Sequence, residues 1–471
     1  MRDDLELDRA WRGQRHVWQG GDADLCLGIP AMRRWSLLAC RSRGVTLVEL
    51  MVAMVIGLLV AAGIISVFLS TSHSNRVQNQ LALLQEEGRY AIGRLSHDLR
   101  MANSQYCTNT GGNAVKATNG ILLDGLRAPT VYANDLMSAL SDVGTPWGSS
   151  LYPAQPNSPY SLPSGLWMRG YACDANACSP AAPASIPAAG KTAGKRVVGT
   201  SILTVRYLDP SRGWALDGAG TLTTTANGTV AAIHVVPTSG EPPLSDFKAG
   251  HLALLADCAA SAVFAVAGTP SSGQFSPAAV ESGAAGNNAM PVVQPLPSAP
   301  RLYDFNTDFL TVTYYAKVVD IGEGKTTGAL VRRVNGEDQE LVRGIERLDF
   351  LYGVELDGGT LLAPPSLLDD GIRYSRLNTQ CLSVPLPVSA GGEPGCAWRA
   401  IKSVEVRLLM SGQQPLPSLT VSETAYGYLP DGDGAVLPPG QHAITPGQQG
   451  FDEKLLRRQF NALVALRNFN P

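Results

Sequence analysis

The chain has 471 residues, of which 45% are hydrophobic and 16% are charged, with a formal net charge of −3 and a sequence pI of about 6.1. This balance lacks the basic excess of a nucleic-acid-binding domain, so we exclude nucleic acid as a partner. The length allows one or two domains beyond any membrane anchor. The 49 glycines and 32 prolines predict a loop-rich exported domain rather than a helical one.

Residues 1–44 are interpreted as a leader. Residues 1–31 are polar and carry both signs of charge, and we expect them to reflect a mis-assigned start, with Met32 as the first residue of a short basic leader. Four arginines precede the apolar segment that follows: Arg33, Arg34, Arg41 and Arg43. The positive-inside rule then places the N-terminus in the cytoplasm and the residues after about position 70 outside it.

Residues 45–69 form an apolar segment in which Glu49 is the one charged residue. The segment is long enough to span a bilayer, since about 20 apolar residues suffice. A carboxylate in such a helix needs a partner. If the chain is cut after Gly44, the new α-amino group of Val45 on a neighbouring subunit supplies a cation for Glu49. A plain signal anchor explains neither Glu49 nor Gly44, and a signal peptide requires a shorter apolar region.

The helix is predicted to continue through residues 70–103 as an amphipathic segment. One apolar face is marked by Val77, Leu81, Leu84, Ala91, Ile92, Leu95 and Leu99. His97 and Asp98 are assigned to solvated faces, because adjacent residues on a helix point apart. Gly88 and Gly93 are expected to weaken the helix by about 1 kcal/mol each relative to alanine.

Residues 104–471 are predicted to form an extracytoplasmic head rich in β-strands, with large loops near 127–195 and 268–300. Strands are expected at 201–209, 231–237, 251–258, 261–267, 309–319, 329–334, 339–345, 347–356 and 401–410. Asn335-Gly336 predicts a tight hairpin turn, and 347–356 is expected to continue the same sheet. In 401–410, Glu405 and Arg407 are expected to face water. Arg457 and Arg458 are interpreted as a charge pair at a sheet edge.

The part of the chain after the leader contains six cysteines: Cys107, Cys173, Cys178, Cys258, Cys381 and Cys396. An even number in an oxidising compartment suggests disulfides, with fifteen possible connectivities. We favour Cys381 with Cys396, which flank one loop, and then Cys173 with Cys178, which leaves Cys107 with Cys258. Zinc is the alternative for Cys173 and Cys178, but there is neither a second such pair nor a nearby histidine, so we predict no metal site.

No motif for catalysis stands out in the chain. The nucleophile elbow, the zinc-protease motif, the P-loop and the dinucleotide-binding glycine pattern are all absent from the sequence. Asp431 and Asp433 suggest a calcium loop, but Ala435 stands where a third ligand is needed. We therefore expect no enzymatic activity and no cofactor.

The segment at the start of the apolar region resembles the N-terminus of type IV prepilins and of type II secretion pseudopilins. The matching residues are Gly44, Val45, Thr46, Leu47, Val48 and Glu49. The family usually has phenylalanine where this chain has Val45. The resemblance implies that prepilin peptidase cleaves between Gly44 and Val45 and methylates the Val45 amine, and that Glu49 acts in subunit assembly.

Several later segments resemble the PilW family of type IV pilus minor pilins: 201–207, 254–266, 314–354, 401–412 and 457–468. The loops at 127–195 and 268–300 lie outside this resemblance. It implies a pilin-like α+β fold, in which a long N-terminal helix packs on an antiparallel sheet.

The same resemblance implies a minor pilin that acts in pilus assembly or initiation, within a tip or priming complex, and supports twitching motility and adhesion. Its partners would be other minor pilins, the major pilin, prepilin peptidase and a tip-associated adhesin. It would cross the inner membrane once, with the head in the periplasm, before it enters the pilus. The alternatives are a minor pseudopilin of type II secretion and a membrane-anchored extracytoplasmic enzyme or binding protein.

Overall fold

A computed structural model provides the structure of the protein. It describes residues 46–104, 106, 115–117, 120–122, 129–144, 155–216, 220–256, 261–270, 272–292, 300–354, 401–416, 418–431, 434–466 and 468. The chain divides into two compact units, Met1–Val67 and Phe68–Pro471. The long helix α1 (Leu47–Met101) begins in the first unit and ends in the second.

The described part of the second unit contains strands and, besides the end of α1, three short α-helices. The strands are β1 (Val115–Ala117), β2 (Gly120–Leu122), β3 (Thr130–Val131), β4 (Tyr160–Ser161), β5 (Met168–Cys173), β6 (Cys178–Ser179), β7 (Ile202–Leu208), β8 (Trp214–Ala215), β9 (Thr221–Thr224), β10 (Val230–His234), β11 (Leu252–Ala256), β12 (Ser261–Ala265), β13 (Gln274–Phe275), β14 (Arg301–Asp304), β15 (Phe309–Gly322), β16 (Lys325–Val334), β17 (Glu337–Arg343), β18 (Ile345–Val354), β19 (Ile401–Ser411) and β20 (Arg457–Ala465). The helices are α2 (Phe305–Asp308), α3 (Val421–Thr424) and α4 (Pro446–Gln449).

Two six-stranded sheets and one three-stranded sheet form most of this unit. Their strand orders are β17-β16-β15-β7-β5-β6, β4-β3-β12-β11-β14-β8 and β18-β19-β20. A further three-stranded sheet has the order β13-β10-β9, and β1 pairs with β2. Neighbouring strands are antiparallel apart from the short parallel pair of β3 and β12. The predicted α+β fold, with a long N-terminal helix on largely antiparallel sheets, is thus confirmed.

The hairpin predicted from Asn335-Gly336 is present between β16 and β17. Both residues adopt positive φ, 47° for Asn335 and 94° for Gly336, as a two-residue hairpin turn of this kind requires. The region 127–195 is less loop-like than expected, because β5 pairs there with β7 in the middle of a sheet. β5 is buried at five of its six positions and so shows no alternation of apolar and polar residues that would reveal it.

The expectation that residues 347–356 continue the hairpin sheet is wrong. β18 pairs with β19 and begins a separate sheet. The chain changes direction at Gly344, whose φ of 87° lies in the left-handed region that glycine tolerates. At Gly328 on β16 an added Cβ would lie 1.8 Å from the carbonyl oxygen of Ile345, so the two sheets meet closely there.

The outer face of β19 is covered, which corrects the expectation that Glu405 and Arg407 face water. Glu405 is 9% exposed and Arg407 is 7% exposed, and the two form an ion pair. Tyr428 from the segment after β19 donates its hydroxyl to the carbonyl oxygen of Arg407 at 3.3 Å. The segment that covers this face is irregular, so its sequence has no helix or strand periodicity from which the contact could be predicted.

Arg457 is also buried, rather than exposed at a sheet edge. Its Nε donates to Glu346 Oε2 at 2.7 Å and its Nη2 donates to Glu346 Oε1 at 3.1 Å. Both side chains are almost fully buried, so this two-point ion pair joins the start of β20 to β18 inside the head. Arg458, by contrast, is exposed as expected.

The predicted apolar face of α1 packs against the head. Leu84, Ala91, Leu95 and Leu99 are buried in a core that also contains Val312 and Leu348. Gly88 lies on the same face, and a Cβ added there would lie 2.5 Å from the Phe460 ring. Gly88 therefore allows a close helix–strand contact, in addition to the expected weakening of the helix.

Asp98 is the exception to the predicted pattern, because its side chain is fully buried rather than solvated. Arg332 Nε donates to Asp98 Oδ2 at 2.6 Å, and Tyr314 donates to the same oxygen at 2.6 Å. Tyr207 donates to Oδ1 at 3.0 Å. The donors belong to β16, β15 and β7, so one carboxylate joins the helix to three adjacent strands.

The charge state of Asp98 follows from these contacts. Burial raises the pKa of its carboxyl, but hydrogen bonds from Arg332 and Tyr314 and the charge of Arg332 outweigh burial. The net effect lowers the pKa of Asp98 below its ordinary value. The carboxylate is therefore ionised at neutral pH and balances the buried guanidinium.

The C-terminal end of α1 is closed by two asparagines. Asn103 adopts a φ of 58°, and its backbone N–H donates to the carbonyl oxygen of Arg206 at 2.9 Å. The Asn468 side chain donates to the carbonyl oxygens of Arg100 and Ala102 at 3.0 and 3.1 Å. Asn103 Nδ2 in turn donates to the Asn468 carbonyl at 3.0 Å. These bonds satisfy carbonyls that a helix end leaves unpaired.

Replacing the buried carboxylate tests its role in stability. We expect Asp98→Asn to lower the free energy of unfolding by about 3 kcal/mol, because Arg332 stays buried without its anion. The exposed Glu86→Gln on the same helix should change it by less than about 0.5 kcal/mol. Denaturant unfolding of the detergent-solubilised chain measures both. Equal effects of the two substitutions would contradict this account.

The stability of the wild type and that of Asp98→Asn should depend differently on pH. A carboxyl with a lowered folded-state pKa stabilises above its unfolded pKa, which is about 3.9, and this stability is lost as the pH falls through the folded value. The stability difference between wild type and Asp98→Asn should be full above about pH 5 and should shrink progressively as the pH falls below the unfolded pKa of about 3.9. A difference that stays constant from pH 6 to pH 2 would argue against an ionised Asp98.

Two glycines of α1 provide a matched test of the helix–strand contact. Gly93 has open space where a Cβ would lie, so Gly93→Ala should stabilise the chain by about 0.5–1 kcal/mol through helix propensity. Gly88→Ala should instead destabilise it by about 1–3 kcal/mol, because the methyl group meets Phe460. Unfolding midpoints that move in the same direction for both variants would contradict a close contact between Gly88 and Phe460.

Candidate assembly site

The first turn of α1 holds a reciprocal pair of hydrogen bonds between Thr46 and Glu49. Glu49 N–H donates to Thr46 Oγ1 at 3.2 Å, while the Thr46 N–H donates to Glu49 Oε2 at 3.0 Å. The Thr46 hydroxyl also donates to Oε2 at 3.0 Å. This is a capping box, which satisfies backbone donors at the helix start. The Thr-x-x-Glu spacing is the sequence signal for this cap, and it gives Glu49 a second role beside the predicted pairing with an amine.

The capping box leaves part of the Glu49 carboxylate available. Both bonds that it accepts go to Oε2, and among the residues that the structure describes Oε1 has no hydrogen-bond partner. Gly44 and Val45 lie outside the described residues, so cleavage between them and methylation of Val45 stay predictions.

The segment after the capping box presents an unbroken apolar surface. Every residue from Leu47 to Leu69 is exposed, with Leu47 at 75% and Leu58 at 70%. Within the described part of the chain, one helix, Leu47–Met101, is long and apolar enough to cross a membrane, and none of its most apolar stretch is buried. Such a surface is unfavourable in water, so it requires lipid or other apolar helices around it.

One of the predicted disulfides is present. Cys173 and Cys178 are directly paired across the antiparallel strands β5 and β6, and their sulfurs are bonded. Cys107, Cys258, Cys381 and Cys396 lie outside the described residues, and the pairings proposed for them remain predictions. The disulfide closes the short CDANAC turn at the edge of a six-stranded sheet.

The His97–Asp98 contact contains the residue types of a catalytic base and its partner. His97 contacts Asp98 at 3.3 Å although the two are adjacent in sequence, but Asp98 is already engaged by Arg332 and two tyrosines. In the described residues no three His, Cys, Asp or Glu side chains form a group that could hold a metal ion. The contacts of Asp98 are those of a structural ion pair.

A second histidine resembles part of a catalytic relay more closely. His251 Nδ1 lies 2.7 Å from Asp304 Oδ2, and His251 lines a cavity of about 240 Å³ together with Ser138. The Ser138 hydroxyl, however, donates to Asp135 Oδ2 at 2.5 Å, away from the imidazole. Burial raises the pKa of Asp304 in spite of His251. The nucleophile-to-base contact of a serine relay is thus not formed.

The Asp431 side chain, considered above for calcium, is already occupied. Arg347 Nη1 lies 2.6 Å from Oδ1, and His442 Nδ1 lies 3.2 Å from Oδ2. Both carboxylate oxygens therefore face cationic or hydrogen-bonding side chains of the head. Asp433 lies outside the described residues.

Two family models match the chain. Residues 318–468 match the model for the type IV pilus-assembly protein W, and residues 40–65 match the prokaryotic N-terminal methylation motif. No curated protein and no solved structure matches the chain.

The first match runs from within β15 through β20 to Asn468, the residue that closes the end of α1. The second contains the capping box and the first part of the exposed apolar segment. Together the two matches support the identification of the chain as a PilW-like type IV pilin.

Proposed function

We propose that the chain acts as a minor pilin in the assembly or initiation of type IV pili. The observation that carries this proposal is the wholly exposed apolar segment Leu47–Leu69, whose single charge lies in its first turn. The membrane anchor of an enzyme needs only apolar length and has no use for a buried acid. In a filament held together by apolar helices, the Glu49 carboxylate can pair with a cation of a neighbouring subunit. The methylation-motif match over residues 40–65 supports the same role.

In this proposal the precursor is inserted in the inner membrane with its head in the periplasm. Prepilin peptidase cleaves after Gly44 and methylates the new amine of Val45. The arginines before the segment support this orientation through the positive-inside rule. The mature subunit then leaves the membrane for the pilus, where other apolar helices replace lipid around residues 45–69.

Glu49 pairs with the Val45 amine of a neighbouring subunit in the assembled filament. The capping box supports this role because Thr46 holds Oε2 close to the helix start and leaves Oε1 without a bond in the described residues. An ammonium group that approaches Oε1 gains a charge-assisted hydrogen bond without breaking the cap. Both ions would otherwise lie uncompensated in an apolar environment.

The head acts by contact with other pilins rather than by catalysis. Its partners in the proposal are other minor pilins, the major pilin and a tip-associated adhesin, in a tip or priming complex that supports twitching motility and adhesion. A minor pseudopilin of type II secretion would share the same N-terminal segment, so α1 does not separate the two machines. The match to the pilus-assembly protein W model over residues 318–468 favours the pilus.

The proposed charge pair is tested by Glu49→Gln in the full-length chain. The amide keeps an oxygen for the Thr46 cap but removes the negative charge, so helix formation should persist while recovery in sheared filaments falls at least tenfold. Glu86→Gln, an exposed site on the same helix, is the matched control and should assemble as the wild type does. Quantitative immunoblotting of membranes and filaments gives the measurement. Normal recovery of Glu49→Gln in filaments would refute the charge pair.

A further inference from the structure

In the part of the chain that the structure describes, the strand β20 is the outer strand of the sheet β18-β19-β20. It pairs with β19 along its whole length, from Arg457 opposite Ser411 to Ala465 opposite Ser403. Among the residues described by the structure, the backbone of 458–465 makes no hydrogen bond outside this ladder. In an antiparallel pair, alternate residues direct their N–H and C=O groups away from the partner strand. With respect to the described residues, β20 therefore presents a row of unpaired donors and acceptors with the spacing of a strand.

This edge is held in place at both ends. Arg457 at its start is bonded to the buried Glu346, and Asn468 beyond its end is bonded to the last carbonyls of α1. Between them, Phe460 packs against Gly88 of the helix. A strand that is already ordered loses little conformational entropy when another strand pairs with it, so the edge is pre-organised for binding.

The strand β17, at the edge of the first six-stranded sheet, is protected against pairing. Its first four residues, Glu337, Asp338, Gln339 and Glu340, are all exposed, and three of them are acidic. The register of β17 on β16 also shifts between Leu330 and Val331, as at a bulge. Exposed charges and bulges are the common devices by which proteins prevent edge strands from pairing with other chains.

β20 lacks these devices over most of its length. Residues 459–465 contain no charged side chain, and the ladder with β19 runs without a register shift. Leu463 is 63% exposed beside this edge, which is high for a leucine on a strand. Arg458 is exposed and has no ion-pair partner among the described residues. Among the described residues, the edge thus combines backbone groups that have no partner, one exposed apolar side chain and one cation outside any ion pair.

We propose that the β20 edge binds an extended strand from the head of a different pilin subunit. The expected strand is uncharged, except for an acidic residue near Arg458, and places an apolar side chain on Leu463. A second copy of this chain is a poorer complement because it brings a further Arg458 in place of a carboxylate. This inference rests on the proposed function, since the filament is what brings other pilin heads to the edge.

A photo-crosslinking experiment in the full-length chain tests this directly. The photoreactive residue p-benzoylphenylalanine is placed at Asn461 on β20 or, as the matched control, at Glu337 on β17, in cells that make pili. Adducts from sheared filaments are mapped to single residues by mass spectrometry. The Asn461 position should crosslink to a head strand of another pilin at least ten times more than the Glu337 position does.

A second substitution tests whether the crosslinked adduct depends on the β20 edge. Leu463→Lys places a charge at the contact point and should lower the Asn461 adduct at least tenfold, while the unfolding midpoint stays that of the wild type because the side chain is exposed. Equal yields from both edges, adducts confined to a second copy of this chain, or an adduct unaffected by Leu463→Lys would overturn the proposal. Absence of the chain from filaments, read from the same samples, would instead overturn the proposed function.

Discussion

The buried carboxylate of Asp98 is the contact on which the arrangement of helix and head depends. A charge without water is tolerated only when opposite charge and hydrogen-bond donors surround it, and here Arg332, Tyr314 and Tyr207 supply them from three strands. These donors also fix the register of α1, because a shift by one helical turn of about 5.4 Å would separate Asp98 from all of them. Apolar packing along Leu84, Ala91, Leu95 and Leu99 alone would tolerate such a shift more easily.

The last strand of the chain returns to the helix and completes the head. Phe460 packs on Gly88, and Asn468 bonds the carbonyls of Arg100 and Ala102, so this end of the chain contacts the helix at points several turns apart. The Glu346–Arg457 pair fixes the start of this strand on β18. These contacts give a physical reason why the match to the type IV pilus-assembly protein W model extends to residue 468, since its final residues close both the sheet and the helix end.

Much of this architecture could be predicted from local sequence signals. Periodicity identified the helix and its apolar face, and Asn335-Gly336 identified the central hairpin. Asp98 and Arg457 were expected to be solvated because each lies more than a hundred residues from its ion-pair partner. At that separation the sequence gives no sign that the two charges meet. The buried β5 and the cover over Glu405 were missed because neither has a periodic pattern. At the assembly site Glu49 was recognised, while its capping by Thr46 was not.

The chain combines an exposed apolar segment, an acid in its first turn and a head attached to the same helix, and we propose that cleavage creates the partner of that acid. The most direct test is the intact mass and N-terminal sequence of the chain recovered from sheared filaments, with and without prepilin peptidase. We expect a chain that starts at Val45, carries one methyl group and is found in filaments only when the peptidase is present. A chain found in filaments with residues 32–44 still attached would contradict the account, because no Val45 amine would exist.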